Sequence, residues 1–504
     1  MNQLSDQEDV APPADSRRTV LRNVVVAAAA AGIGATGWST PSSSRNAGTG
    51  SDDDGMLDVI IIGAGLAGLT AARDLRQAGN QRFLVLEARD RVGGRTLNHQ
   101  LRGGYVNEAG GHWIGPGQTA IADLAHELQV GTTPFDYSGR TVFRWGKAKF
   151  AFDARGEVDI DKKVIAKLNA LARSVPPDRP WTAPDAPTLD KTTLREWLVA
   201  NGANEQDMLT WNLASVLTQG TSPSNVSLLY YLRLVHSAGG VQGLEAQKDG
   251  SQETRFVGGS QKLSLNMAAE LGDRVRLEQP VTKIVGWDRD VVTVQTSRGS
   301  FRARKVIVAL SPTLCDRIGY EPALPVERQQ LQRRWPSYGS NMTKCCLVYD
   351  SPFWLQNDLN GQVGSVDGPI IWSYDNSPPD RKIGVLGAFL RIAEVPSDLQ
   401  AAQRELTGVL AKSLGDKRFL DPLEFHLQDW GREPYTITCV SPMPPGLLTS
   451  GLMPSLTRNL GAIVWSGTET APRWAGYMDG AVRSGHTAAL QVLQSLNSRH
   501  EGNA

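Results

Sequence analysis

The distribution of apolar and polar residues predicts a strand–helix–strand unit near the beginning of the folded chain. Residues 59–62 form a short, continuous run of Val and Ile, which is typical of a buried parallel strand. Residues 66–78 are predicted to form the helix that follows. Residues 83–86 form a second apolar run, which ends at Glu87. The pattern therefore indicates an α/β fold that begins with a βαβ unit.

Farther along the chain, a helical zone is followed by a zone of strands. Residues 133–249 have a mainly helical pattern, as in residues 194–199 and 226–235. Short β-branched runs then predict strands. The predicted strands cover residues 275–277, 281–285, 291–296 and 306–310.

Three glycines separate the first predicted strand from its helix with the spacing of a dinucleotide-binding turn. Gly63 allows a tight turn, Gly65 lets the backbone approach a pyrophosphate, and Gly68 lets the helix pack on the strand. The pyrophosphate would lie at the helix N-terminus, where free N–H groups favour an anion. Glu87 follows Gly68 by 19 residues, the position expected for a carboxylate on a ribose hydroxyl. The motif alone does not distinguish NAD from FAD.

Composition limits the classes of function. The chain has 504 residues, which suggests two domains, and Lys plus Arg equals Asp plus Glu at 52 each. This balance argues against nucleic-acid binding as the main function. Four cysteines do not form a disulfide framework in a chain of this length, and the seven histidines show no metal-binding spacing. We therefore expect no metal site.

The first 55 residues are predicted to lie outside the fold. Arg17 and Arg18 form a twin-arginine pattern, and residues 24–37 are an uncharged run too short to span a bilayer comfortably. We expect residues 1–38 to be an export signal and residues 39–55 to be a linker. The protein would then be periplasmic or exported. If the leader is not functional and the arginine pair is accidental, the protein would be cytoplasmic.

The residues after Glu87 resemble the second flavin-contact motif of the flavin amine oxidase family. The resemblance implies that Arg89, Gly94 and Arg95 lie along the diphosphate and ribityl chain of FAD. Residues 107–118 resemble the monoamine oxidase segment in which a Gly-Gly pair, here Gly110 and Gly111, passes close to the flavin. Small residues are needed there because the isoalloxazine plane leaves no room for a Cβ.

Later segments resemble the same family. Gln252 matches a glutamine of the substrate tunnel, and Val281 matches a residue whose backbone reaches the adenine. Residues 225–240 resemble a helix of the family's substrate domain, in which we interpret His236 as structural. Residues 465–485 resemble the C-terminal signature. The signature implies cofactor contacts from Gly467, Glu469, Gly476 and Met478. Glu469 would approach the ribityl or diphosphate region, and Gly476 and Met478 would lie at the start of a helix directed at the flavin.

Two residues are expected to act on the reaction. A lysine on a strand is ordinarily solvated. However, residues 338–344 resemble a family segment that ends in a lysine, here Lys344. In the family this lysine holds a water molecule near flavin N5. A cation there stabilises charge that develops on the ring. Tyr477 matches one tyrosine of the aromatic cage and would both bind and orient the amine, whereas core packing is the alternative.

The sequence departs from mammalian-type monoamine oxidases at Cys439 and Val440. Cys439 occupies the position of the cysteine that bonds covalently to the flavin, but an inert buried thiol is the alternative, and covalent attachment is not favoured. Val440 replaces a cage tyrosine, so one wall of the substrate site is either missing or supplied by another residue.

The resemblance implies a glutathione-reductase-like, Rossmann-type FAD-binding domain with an inserted α+β substrate domain. The expected FAD-binding segments are residues 56–132, 257–336 and 433–495, the substrate segments are residues 133–256 and 337–432, and residues 496–504 are a tail.

The implied reaction is oxidation of an amine to an imine by hydride transfer to flavin N5. The imine hydrolyses to an aldehyde or ketone, and O2 reoxidises the flavin and gives H2O2. A redox protein could replace O2 as the acceptor, and a homodimer is left open. An L-amino acid oxidase or polyamine oxidase on the same scaffold is the first alternative, and a non-catalytic FAD-binding protein is the second.

Overall fold

The computed structural model describes residues 55–145, 148–153, 162–337, 343–437 and 440–501. The predicted leader, the linker up to residue 54, residues 338–342 before Lys344, and Cys439 lie outside the described residues. Within the described part of the chain, none of the helices combines the length and the apolar character needed to cross a membrane.

The described strands and helices are numbered separately in chain order. The strands are β1 (Met56–Ile62), β2 (Phe83–Leu86), β3 (Asn98–Gln100), β4 (Val106–Glu108), β5 (Trp113–Ile114), β6 (Thr132–Pro134), β7 (Arg140–Trp145), β8 (Ala148–Asp153), β9 (Thr254–Phe256), β10 (Val275–Arg276), β11 (Val281–Val285), β12 (Val292–Thr296), β13 (Gly299–Ala309), β14 (Gly319–Glu321), β15 (Thr343–Tyr349), β16 (Leu359–Ser365), β17 (Ile370–Asp375), β18 (Gly384–Leu390), β19 (Glu424–Gln428) and β20 (Ile463–Ser466). The α-helices are α1 (Leu66–Gln77), α2 (Thr119–Glu127), α3 (Lys162–Ala172), α4 (Ala186–Lys191), α5 (Leu194–Ala200), α6 (Glu205–Gln219), α7 (Leu228–Ser237), α8 (Val241–Glu245), α9 (Gln261–Leu271), α10 (Pro312–Cys315), α11 (Val326–Arg334), α12 (Leu399–Leu414) and α13 (Met478–Glu501).

The first sheet has a parallel centre whose strands are covered on both faces. β10, β2, β1, β13 and β20 run parallel in this order, and β12, β11 and β14 extend the sheet beyond β13. Val59 and Ile61 pack against helices, whereas Ile60 and Ile62 pack against the apolar side chains of β11 and β12. Burial on both faces explains why β1 is a continuous apolar run rather than an alternating one. The carboxyl ends of these parallel strands meet at one edge, where ligands bind in open α/β folds.

The second sheet is mostly antiparallel, with strand order β19, β15, β18, β17, β16, β7 and β8. Helix α12 packs on this sheet, and α3 to α8 surround a separate apolar core. Residues 133–249 are mainly helical, as predicted, but the zone begins with β6, β7 and β8, which the prediction did not include. Strands β7 and β8 pair with each other, and β7 pairs with β16, which lies far away in sequence. Local periodicity carries no information about such a distant partner.

Two predicted element boundaries also need correction. The helix predicted from residue 226 begins at Leu228, because the Ser227 hydroxyl accepts a hydrogen bond from Tyr230 N at 3.3 Å and caps the helix. The strand predicted at residues 306–310 is the C-terminal half of the longer strand β13. Its N-terminal half has exposed polar residues, so the apolar pattern did not predict that half.

A buried carboxylate joins α4 to two other segments of the helical unit. Asp190 is fully buried and accepts hydrogen bonds from Ser227 Oγ, Thr449 N and Thr449 Oγ1, each at 2.8 Å. These donors come from the N-terminus of α7 and from the loop before β20. The side chain therefore fixes the relative positions of three segments that are distant in sequence.

We expect Asp190→Ala to lower the free energy of unfolding by roughly 3 kcal/mol, because one buried and two partly buried donors lose their acceptor. Thermal and urea unfolding of the FAD-loaded protein would measure the change. Asp123→Ala is the control, since Asp123 is an exposed aspartate on α2. Equal unfolding curves for the two variants would contradict the role given to Asp190.

Candidate functional site

A cavity of about 510 Å³ extends from the glycine turn after β1 to a group of aromatic side chains near α7. Its walls come from the first sheet, from β5, α6 and α7, and from the N-terminus of α13, so residues far apart in sequence meet there. Most residues predicted from the sequence line it. Those lining residues are Gly63, Gly65, Glu87, Arg89, Gly94, Arg95, Gly111, Gln252, Val281, Val440, Gly467, Gly476, Tyr477 and Met478.

The glycine turn has the close backbone approaches that a dinucleotide requires. A Cβ on Gly68 would lie 1.9 Å from the Gly63 carbonyl oxygen, so Gly68 serves the packing of α1 on β1 and does not itself line the cavity. Gly65 faces Gly94, with 3.8 Å between a Cβ built on Gly65 and the Gly94 Cα. The free N–H groups of α1 begin here, where only the backbones of Gly65 and Gly94 face each other, which leaves space for a pyrophosphate.

Glu87 is held rigidly at the end of β2. Its buried carboxylate accepts hydrogen bonds from Ala64 N at 2.8 Å and from Arg89 N at 3.0 Å. Two backbone donors thus fix the acid beside the glycine turn, at the position expected for ribose recognition.

Two arginines of the predicted flavin motif are anchored by acids on distant segments. Arg89 Nη2 lies 3.1 Å from Glu433 Oε2 and also contacts Thr436 Oγ1. Arg95 Nη2 lies 2.8 Å from Glu469 Oε1. Glu469 therefore supports Arg95 and is not among the residues that line the cavity. Cationic side chains and N–H groups along this wall suit the diphosphate of FAD, so the donor set fits the cofactor.

The backbone of residues 109–111 is fixed from three directions. The Trp430 indole N–H donates to Ala109 O at 2.8 Å, Lys344 Nζ donates to Gly110 O at 3.4 Å, and Gly111 N donates to Arg95 O at 3.2 Å. A Cβ on Gly111 would lie 2.4 Å from the Met478 Sδ. This segment is therefore a rigid wall in which Gly111, but not Gly110, borders the cavity.

Lys344 is buried on β15 and lies behind this wall, outside the cavity lining. Its Nζ is 4.7 Å from the centre of the Phe389 ring and 5.4 Å from that of Trp113. Glu108, fully buried nearby, accepts a hydrogen bond from Asn376 Nδ2 at 3.2 Å. Burial raises the pKa of Glu108, although the charges of Arg255 and Lys344 act in the opposite direction. The lysine thus belongs to a buried charged group next to the Gly110–Gly111 wall.

His112 stacks on Trp113, with ring centres 3.8 Å apart. Burial, reinforced by the charges of Lys344 and Arg255, lowers the pKa of His112 well below its ordinary value. The imidazole is therefore neutral at physiological pH and supports the Trp113 ring that borders the cavity.

The far end of the cavity is mainly apolar and aromatic. Tyr477, Gln252 and Val440, which were assigned to the substrate site from the sequence, line the cavity. This end of the cavity, called the amine end below, is also lined by four residues that were not predicted from the sequence: Trp113, Leu217, Tyr230 and Leu234. Trp113 lies inside residues 107–118, which resemble a monoamine oxidase segment, so this resemblance could have identified it as a site residue. Tyr230 is on an apolar helix, where an aromatic residue is indistinguishable from core.

His236 has a structural contact, since its Nδ1 lies 2.9 Å from Ala172 O. Among the residues that the model describes, no group of three His, Cys, Asp or Glu side chains is arranged to hold a metal ion.

Residues 66–493 match the family described as flavin containing amine oxidoreductase. The chain belongs to this family. AofH of Mycobacterium tuberculosis (strain ATCC 25618 / H37Rv), which bears the name of a flavin-containing monoamine oxidase, is 37% identical over 458 residues, which are 87% of this chain and 97% of AofH.

Two further flavin amine oxidases support the assignment. The flavin-containing amine oxidase A of Equus caballus is 33% identical over 470 residues, which are 88% of this chain and 86% of that protein. The structure of cyclohexylamine oxidase from Brevibacterium oxydans IH-35A superposes with a TM-score of 0.78 at 31% identity and covers 88% of this chain and 100% of that one. The predicted Rossmann-type FAD domain with a substrate domain is confirmed, as is FAD-dependent amine oxidation.

Proposed function

We propose that this flavin amine oxidase converts an apolar monoamine to an imine, which hydrolyses to an aldehyde or ketone, with O2 as the electron acceptor and H2O2 as its product. The observation that carries this proposal is the continuity of one cavity from the glycine turn to Tyr477 and Gln252. A small amine at the aromatic end would thereby reach the flavin end without crossing bulk water.

The residues of the cavity have separable tasks. When bound, FAD supplies the acceptor for the hydrogen and electrons of the amine α-C–H bond. The backbone at Gly65 and Gly94 would hold its diphosphate, and Glu87 its ribose. Tyr477 and Gln252 would orient the amine nitrogen. Lys344, behind Gly110, would contribute positive charge and hold a water molecule.

The lining of the amine end favours monoamines over the two alternative substrate classes. Amino acid oxidases need a cation for the substrate carboxylate, whereas a diamine or polyamine needs an acid for its second ammonium group. Of the described residues that line the amine end, none is Arg, Lys, Asp or Glu. The charged lining residues are Glu87, Arg89 and Arg95, which follow β2, and Arg317, which follows α10 and donates to Pro434 O. An uncharged amine with an apolar substituent fits this surface best.

We expect anaerobic addition of apolar primary monoamines to bleach the oxidised-flavin absorbance of the purified holoenzyme, because their apolar groups fit the lining. Amino acids and diamines of matched length serve as comparisons in the same titration. Bleaching by amino acids or diamines alone would reassign the substrate class. A flavin that none of the three classes reduces would refute the proposed function.

We also propose that FAD is held without a covalent bond and that residues 1–38 direct export by the twin-arginine route from a bacterial cytoplasm. Val440 in place of tyrosine beside Cys439 supports the first proposal, since this region departs from the mammalian covalent motif. Arg17 and Arg18 before the uncharged residues 24–37 support the second. A cofactor-containing protein suits a route that carries folded cargo.

A further inference from the structure

A buried carboxyl group lies behind the amine end of the cavity. Glu245 is the last residue of α8 and is fully buried. Its Oε1 accepts a hydrogen bond from the Tyr231 hydroxyl at 2.9 Å. Its Oε2 is also buried and has no hydrogen-bond partner among the described residues. An acid in an apolar core without a cation is costly, so its presence calls for an explanation.

Glu245 is adjacent to the residues that would orient the amine. Tyr477, which lines the cavity, packs against the cluster that contains Tyr231 and Leu244, the residue before Glu245. Burial, and after it the charge of Glu245, raises the pKa of the Tyr477 hydroxyl. The Tyr477 hydroxyl also contacts Ser251. Ser251 Oγ donates to Leu244 O at 2.7 Å and accepts from Gln252 Nε2. Hydroxyl groups therefore lie between the Glu245 carboxyl group and the cavity.

Among the described residues, those around Glu245 provide hydroxyl groups and no cationic partner. The titratable groups that face it are Tyr231 on α7 and Tyr477 before α13. Helix α3, which also packs near α8, presents Asn169, whose Oδ1 accepts from Val241 N at 2.8 Å. Burial raises the pKa of Glu245 to about 7, and the Tyr231 hydrogen bond opposes this shift. The group therefore changes charge near physiological pH.

We propose that Glu245 accepts the proton that the substrate ammonium group loses before oxidation. This inference rests on the proposed amine oxidation. The nitrogen gives a proton to the Tyr477 oxygen, the Tyr477 hydroxyl proton passes to the Tyr231 oxygen, and the Tyr231 hydroxyl proton passes to the Glu245 carboxylate. An ammonium and a carboxylate thus become a neutral amine and a carboxylic acid, so charge and protons balance and no electrons move.

Two physical arguments support this direction of transfer. Loss of the α-hydrogen with its electrons requires the nitrogen lone pair, which the ammonium form lacks. In water the amine is the stronger base, but in a buried site two neutral groups avoid the desolvation cost of two ions. The described residues that line the amine end of the cavity are uncharged and provide such an environment. The acid would therefore hold the proton only while the amine occupies the site.

The inference predicts a specific pH dependence. In the wild-type enzyme, ionised Glu245 combines with the abundant ammonium form, so kcat/KM stays level between the pKa of Glu245 and that of the amine. In Glu245→Gln, only the neutral amine reacts, so kcat/KM falls tenfold for each pH unit below the amine pKa. At two pH units below the amine pKa, kcat/KM of the variant would be about 100-fold lower than that of wild type. The difference would disappear near the amine pKa.

The experiment compares kcat/KM from pH 6 to pH 10 for wild type, Glu245→Gln and Glu253→Gln, using one amine that bleaches the wild-type flavin. Glutamine retains an acceptor for Tyr231, and unchanged flavin spectra and unfolding curves would show that the fold is intact. Glu253→Gln, a change at a partly exposed neighbour, should keep the wild-type profile.

Each outcome has a definite meaning. A profile of Glu245→Gln parallel to wild type would overturn the proton-acceptor role, even if the rate were lower throughout. If Glu245→Gln fails to fold, Tyr477→Phe replaces it in the same measurement. Removal of the intervening hydroxyl should give the same slope of kcat/KM against pH. A wild-type slope would again refute the inference. Failure of wild type to oxidise any amine would instead refute the proposed function.

Discussion

Replacement of Lys344 by methionine is expected to slow amine-dependent flavin reduction and reoxidation by about 10²- to 10³-fold, while FAD remains bound. The ammonium group donates to Gly110 O at 3.4 Å, directly behind the wall that faces the cavity. Methionine retains the apolar stem among the Trp113 and Phe389 rings but removes the charge. Anaerobic stopped-flow absorbance would measure reduction, and mixing the reduced enzyme with O2 would measure reoxidation.

Lys305→Met is the matched control for this experiment. Lys305 is also buried on a strand, and its Nζ donates to the Gly461 carbonyl at 3.2 Å, but it does not line the cavity or its glycine wall. Its replacement should leave both half-reactions unchanged. If Lys344→Met likewise left both rates at the wild-type level, the lysine would be structural.

Replacement of Gly65 by valine is expected to give a folded protein that no longer retains FAD, with affinity reduced at least about 100-fold. Gly65 has φ −78° and ψ 179°, an extended conformation that any residue adopts. The nearest atoms to a Cβ there are Gly94 Cα at 3.8 Å and Gly93 O at 4.0 Å, both ordinary contacts. Valine therefore fits the protein itself, but its methyl groups enter the space needed by the diphosphate.

The flavin absorbance per mole of purified protein, followed by titration of the apoprotein with FAD, would measure this loss. Gly408→Ala is the control, because a Cβ there has no heavy atom within 4 Å and the position is inside α12. Full flavin content in Gly65→Val would show that the cofactor does not approach this turn. An unfolded variant would contradict the steric argument.

The sequence predicted the cofactor end of the site better than the amine end. Gly63, Gly65, Glu87 and Arg89 occur together because a short strand, a tight turn and a helix place them locally. Tyr230 and Trp113 reach the cavity only through packing between distant segments. Strand β7 was missed for the same reason, since its pairing with β16 is non-local.

Glu245 shows a different limit of sequence reasoning. A single glutamate in a helical segment ordinarily faces solvent. Its burial beside Tyr231 and Tyr477 depends on how α7, α8 and the start of α13 pack together. The family resemblance gave Tyr477 a role but contained nothing about the acid behind it.

The position of β13 in the sheet determines when during synthesis the enzyme can acquire its cofactor. Ile62 of β1 pairs with Val308, and Val308 pairs in turn with Trp465 of β20. The nucleotide edge therefore cannot form from an N-terminal fragment emerging from the ribosome, because its strands await partners encoded much later. Ribosome-bound chains would lack the site until Met478 has left the exit tunnel. We therefore expect FAD to bind after synthesis is complete. Any transport after that step would carry the folded protein with its cofactor.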